Sequence, residues 1–174
     1  MKRYENIYLI GLMGAGKTTI GRQLARSLRL PFYDSDKAIE ENTGVDIATI
    51  FEYEGEDGFR KREKQMIQRL TAIKGIVLAT GGGVVLSEEN RNLLIKNGFV
   101  VYLQCSVQRV LERTRKDNMR PLLQTDNPKE RLEQLLEQRE SLYLSCADYK
   151  IDTGERQTKV VIKEILKAYQ SVIN

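Results

Sequence analysis

Ile7-Tyr-Leu-Ile-Gly11-Leu-Met-Gly14-Ala-Gly16-Lys17-Thr18-Thr19-Ile20 sets an apolar run directly before a glycine-rich turn, and that turn directly before a helical pattern. Ile20, Leu24 and Leu28 recur at four-residue spacing with Ala25 beside them, which makes one face of a helix starting near Lys17. Strand, turn and helix in this order are the context in which G-x-x-x-x-G-K-[ST] binds phosphate. The glycines let backbone N–H groups turn toward the phosphates, and the N-terminus of the following helix favours anions. Gly14, Ala15, Gly16, Lys17, Thr18 and Thr19 are therefore the expected nucleotide-binding residues. Lys17 is expected at the β and γ phosphates of ATP, and the Thr18 hydroxyl on Mg²⁺. An ordinary glycine-rich turn with a solvated lysine is the competing reading, and the flanking pattern speaks against it.

Outward from this segment, further apolar runs of strand length at 31–34, 76–80, 99–105 and 149–152 alternate with helical patterns at 55–70, 88–96, 107–115, 129–143 and 158–172. Alternation of this kind predicts an α/β fold, a five-stranded parallel sheet flanked by helices in three layers. Phe99-Val-Val-Tyr-Leu is apolar almost throughout, as a strand covered on both faces must be. No repeat or linker divides the chain, so a single domain over 1–174 is expected. The polar stretch 116–128, with Pro121, Asn127 and Pro128, reads as a lid between two helices.

Composition narrows the chemistry. Histidine is absent, which excludes imidazole as a base and any zinc site containing it. The 28 basic and 24 acidic residues give a net charge of +4, which suits an anionic ligand but is too even to indicate nucleic acid. Cys105 and Cys146 lack ligand or redox spacing and read as small buried apolar groups in a reducing compartment. The first residues lead only to a short apolar run, so neither a signal peptide nor a membrane span is expected, and the cytoplasm is the expected location.

Asp34-Ser35-Asp36 closes the second apolar run. Residues two apart in an extended segment project to the same side, so two carboxylates would stand together at a strand end, where ligand sites of α/β sheets lie. Beside a phosphate cradle, one would hold the magnesium through water and the other would take the proton of an acceptor hydroxyl. The alternative makes Asp36 the cap of a helix through 39–42 and Asp34 a turn residue.

With GLMGAGKT followed shortly by DSD, the sequence resembles the shikimate kinases, a branch of the nucleoside-monophosphate-kinase-like P-loop fold. Gly55-Glu-Asp-Gly-Phe59-Arg60-Lys-Arg-Glu63 resembles that family's G-E-x-x-F-R-x-x-E, Thr80-Gly81-Gly82-Gly83 its glycine triplet, Arg120-Pro-Leu-Leu its lid, and Arg139-Glu-Ser-Leu-Tyr143 its R-x-x-x-Y. The resemblance spans essentially the whole chain. It implies phosphorylation of the 3-hydroxyl of shikimate by ATP with Mg²⁺, on the route to chorismate and the aromatic amino acids, by a monomer.

It also implies residue roles. Asp36 would orient the acceptor hydroxyl, with Lys17 and Arg120 as the other catalytic residues. Asp34 would serve Mg²⁺ through water, since the run at 76–80 ends without an aspartate. Arg60 and Arg139 would hold the substrate carboxylate, Glu63 would orient Arg60, and Gly82 would meet the substrate through its backbone. Local pattern agrees: Arg139 falls in line with Leu132, Leu135, Leu136 and Tyr143, so a permanent cation sits on an otherwise buried face and needs an anion. Arg109, Arg113, Arg115, Lys116 and Arg120 form a basic run without the interleaved aromatics of a nucleic-acid site. Arg113 and Gln157 are weaker candidates for the adenine site. A gluconate or nucleoside monophosphate kinase of the same fold is the nearest rival. A nucleotide-dependent switch is the rival from another class, though no Asn-Lys-x-Asp guanine-reading segment occurs.

Overall fold

The computed structural model describes residues 4–115 and 123–174. Five strands, β1 (Ile7–Ile10), β2 (Phe32–Asp34), β3 (Val77–Ala79), β4 (Phe99–Gln104) and β5 (Tyr149–Asp152), form one sheet in the order β2-β3-β1-β4-β5. All four pairings are parallel. The crossover segments carry α1 (Lys17–Leu28), α2 (Ser35–Thr43), α3 (Ile47–Thr71), α4 (Glu88–Asn97), α5 (Val107–Thr114), α6 (Pro128–Cys146) and, after β5, α7 (Thr158–Ile173). Strand β1 is wholly buried because it lies between β3 and β4 with helices over both faces. Helices α1 and α7 pack together on the sheet, while α3, α4 and α6 form a second contiguous group. Cys105 and Cys146 are buried and unpaired, as expected. Among the described residues no helix is long and apolar enough to cross a membrane.

Two helical segments lie outside the main sequence pattern, though the first contains the 39–42 helix of the alternative reading. Residues 35–43 form α2, because Asp34 caps it by accepting from the Asp36 and Lys37 N–H groups. The α3 helix starts at Ile47, capped by Asp46, and breaks at Gly55, whose φ of 70° and ψ of −178° no helix tolerates. The expected start at 55 is thus a kink inside a longer element. The signal was present in Asp46 followed by Ile47, Ile50 and Phe51 at helical spacing.

One buried residue ties three strands together at their amino ends, through its side chain and its backbone carbonyl. Asn6, 2% exposed, donates to the Ile73 carbonyl and the Tyr8 hydroxyl and accepts from the Ile76 N–H, while its own carbonyl accepts from Phe99 N–H. Asn6→Ala leaves the buried Ile76 N–H unpaired and removes the bond to the part-buried Ile73 carbonyl, so unfolding in urea is expected to show a loss of about 1–3 kcal/mol.

Candidate active site

β1 ends at Ile10, and residues 11–16 wrap the N-terminus of α1. Gly11, at φ +146°, lies so close to the Leu103 carbonyl oxygen that a Cβ would sit 2.5 Å from it, and Gly16 enters the helix in the left-handed conformation. The Lys17 ammonium donates to the carbonyls of Gly11 and Leu12 at 2.5 and 2.8 Å, which holds it over the turn. The Thr18 hydroxyl donates to Asp34 Oδ2 at 2.8 Å. Its lone pairs stay available, and the Thr18–Asp34 oxygen pair fits Mg²⁺, which takes one or two protein oxygens and keeps waters and phosphates as its other ligands. Among the described residues no group of three or more acidic or cysteine side chains forms a larger metal cage.

A cavity of about 600 Å³ opens from this turn toward α2, α3 and α6. It is lined by Gly14, Gly16, Lys17, Thr18 and Thr19 on one side, and by Asp34, Asp36, Arg60, Glu63, Gly82 and Arg139 on the other. Ala15 is buried behind the turn. The expected extended Asp34-Ser35-Asp36 is corrected: only Asp34 ends the strand, and Asp36 belongs to the first turn of α2. The cap is Asp34 and not Asp36, and since Oδ1 caps the helix while Oδ2 meets Thr18, the capping and site positions of Asp34 coincide.

Charge in this cavity is only partly matched. Arg60 Nη1 donates to Glu63 Oε1 at 2.8 Å, and Glu63 and Arg139 are each 1% exposed. Of six buried side-chain atoms without a hydrogen-bond partner among the described residues, five belong to this cavity: Asp36 Oδ1, Arg60 Nε, Glu63 Oε2, and Arg139 Nε and Nη1. Native proteins leave few buried polar groups so, and their concentration in one cavity marks it as a site for a polar ligand. Burial pushes the Asp36 carboxyl up to about 7, with the charges of Glu63 and Asp34 adding to it against Lys17 and Arg60. Burial likewise raises Glu63 against the pull of Arg60, and lowers Arg139.

The glycine triplet makes room for these groups. A Cβ on Gly81 would lie 2.8 Å from Asp36 Oδ1 and 2.9 Å from Glu63 Oε2, and one on Gly83 would overlap the Arg60 guanidinium. None of the three has a positive φ, so the requirement is space. Ser35, which the sequence did not single out, is buried and accepts from the Gly81 N–H at 3.0 Å. Ile47 and Phe51 of the unforeseen helical segment also line the cavity.

Arg113 donates to the carbonyls of Gly14 and Thr153, which brings the turn after β5 against the phosphate loop. Gln157 caps α7 by position, is exposed and does not line the cavity. Arg120 and Lys116 lie outside the described residues, as do residues 116–122 of the lid expected over 116–128.

A phosphate cradle sharing one cavity with two arginines able to grip a carboxylate describes a P-loop kinase of a small anionic acceptor. The sequence model described as shikimate kinase matches residues 13–170. Shikimate kinase of Methylococcus capsulatus is 57% identical over 98% of this chain and 95% of its own length. The structure of shikimate kinase from Acinetobacter baumannii in complex with shikimate superposes with a TM-score of 0.93 at 48% identity, covering 95% of this chain and 93% of that one. The Aquifex aeolicus enzyme gives 0.82 at 38% identity, covering 95% and 96%. The chain belongs to the shikimate kinase family.

The raised Asp36 pKa has a consequence for folding. The native state holds that proton more tightly than the unfolded chain, so the contribution is fully present below about pH 4 and is lost as pH rises to about 7. Asp36→Asn removes the buried charge. It is expected to make the ligand-free protein more stable than the wild type at pH 8 by about 1–3 kcal/mol, with the gap closing toward pH 4, as measured by urea unfolding across that range.

Proposed function

We propose that this chain transfers the γ-phosphoryl group of ATP to the 3-hydroxyl of shikimate, giving 3-phosphoshikimate and ADP. The observation that carries the acceptor assignment is the set of unpartnered buried atoms on Asp36, Arg60, Glu63 and Arg139 in one cavity with the phosphate loop. A carboxylate between the two guanidiniums supplies the anion that Arg139 lacks, and a hydroxyl donating to Asp36 supplies the partner for its orphan oxygen. Planar guanidinium groups suit that bidentate capture better than point charges.

The residues then divide the work. Backbone N–H groups of residues 14–19 hold the phosphates, and Lys17 leaves the loop carbonyls to meet the β and γ oxygens. Thr18 directly and Asp34 through water would hold Mg²⁺, which neutralises the charge that develops on the phosphates. Asp36, with its pKa near the working pH, orients the attacking hydroxyl and takes its proton as the oxygen–phosphorus bond forms. Arg120 stabilises the charge on the transferred group, and Arg113 flanks the base. Gly82 meets the acceptor through its backbone. The same reading makes residues 1–174 one domain, acting as a monomer in the cytoplasm, on the route to chorismate and the aromatic amino acids.

ADP release measured with shikimate, gluconate, CMP and AMP side by side tests the assignment: turnover with shikimate alone is expected, and turnover with another acceptor in its place overturns it. Removing either Arg60 or Arg139 is expected to weaken acceptor binding by about 1.5–3 kcal/mol, the range for hydrogen bonds to charged groups, while ATP affinity holds. Steady-state KM values for both substrates decide this. Asp34→Asn is expected to raise the Mg²⁺ concentration needed for activity, with partial rescue at excess Mg²⁺. Asp36→Asn is expected to lose kcat without such rescue, and titrating Mg²⁺ at saturating substrates separates the two.

A further inference from the structure

The glycine loop after β3 is held from several directions. Ser35 Oγ accepts from the Gly81 N–H, and within the loop Val84 N–H donates to the Gly81 carbonyl and Leu86 N–H to the Gly83 carbonyl, both at 3.1 Å. The remaining carbonyl, that of Gly82, accepts from the hydroxyl of Tyr143 at 2.5 Å. Tyr143 is fully buried on α6, one turn beyond Arg139. Its ring stacks on Tyr102 with centroids 4.9 Å and planes 21° apart, and Tyr102 in turn donates to Glu140 at 2.8 Å. The phenol therefore has a fixed seat.

Glycine has the widest choice of φ and ψ, so a glycine that must present its backbone to a ligand needs its two flanking peptide planes fixed from outside. Val84 fixes the plane before Gly82, and Tyr143 fixes the plane after it. Among the described residues the Gly82 N–H itself has no partner. We propose that Tyr143 is a positioning residue of the acceptor site, its hydroxyl holding the Gly82 carbonyl so that the loop meets the acceptor already set. This rests on the reading of Asp36, Arg60, Gly82 and Arg139 as the acceptor site. Burial pushes the Tyr143 phenol up to about 12 despite the nearby Arg139 charge, so the hydroxyl keeps its proton and donates throughout the working range. Because α6 carries both Arg139 and Tyr143, one helix sets the cation and the loop relative to each other.

Tyr143→Phe keeps the ring and its stack and removes the hydroxyl, which donates to Gly82 and also pairs with the Arg139 side chain. The shikimate KM is expected to rise roughly three- to tenfold, the range for one lost neutral hydrogen bond, with kcat and the ATP KM within about twofold of wild type. Tyr102→Phe, which removes the neighbouring hydroxyl without touching Gly82, is expected to leave the shikimate KM unchanged. An equal rise in both variants, or a Tyr143→Phe protein that no longer melts cooperatively, assigns the hydroxyl to stability and overturns the proposal. Arg139→Lys separates the two levels of inference. A raised shikimate KM there with none in Tyr143→Phe overturns the positioning role alone, whereas an unchanged KM in both overturns the acceptor site on which it rests.

Discussion

All five strands run the same way, so their carboxyl ends and the loops that follow them meet along one edge of the sheet. The order β2-β3-β1 then decides who neighbours whom. The phosphate loop follows β1, Asp34 ends β2 with Asp36 just beyond it, and the glycine triplet follows β3, which runs between them. Donor and acceptor groups face each other across the one loop that carries no side chains. This is the ligand edge expected of open parallel sheets.

The cavity so formed is costly to the ligand-free protein. Glu63 and Arg139 are almost fully buried, and a buried ion carries a penalty of several kcal/mol unless geometry and hydrogen bonds offset it. Arg60 and Glu63 form a close ion pair there, at 2.8 Å. The rest of the chain compensates with a continuous apolar core through β1, β3 and β4 and with buried polar fasteners such as Asn6.

Much of this was legible in the sequence. The apolar runs and their alternation with helices carry the sheet, and the G-x-x-x-x-G-K-T segment carries the phosphate site in its right context. The inward register of Arg139 follows from its alignment with Leu132, Leu135 and Tyr143, and all four are buried. Legibility failed where two rules compete for the same residues. Asp34-Ser35-Asp36 reads as extended from the strand side and as a helix start from the other, and the cap won because Asp34 serves it and Thr18 together. The helix from Ile47 was hidden by the glycine that breaks it, since Gly55 reads as a boundary from either direction. The support given by Ser35 and Tyr143 to the glycine loop joins residues 46 and 61 positions from their partners, a distance at which no local pattern speaks.

The overlap that any side chain on Gly83 would make with Arg60 bears on how this sequence can drift. The obstacle is the tip of a flexible side chain and not backbone, so a larger residue at 83 folds readily and simply pushes the guanidinium out of its seat. Under the role proposed for Arg60, selection sees the change as weakened acceptor binding and not as misfolding, and no stabilising substitution elsewhere masks it. Positions 60 and 83 form a linked pair in which neither is free to wander alone. A descendant that recruits this fold for an acceptor without a carboxylate has to release the arginine before the glycine can change.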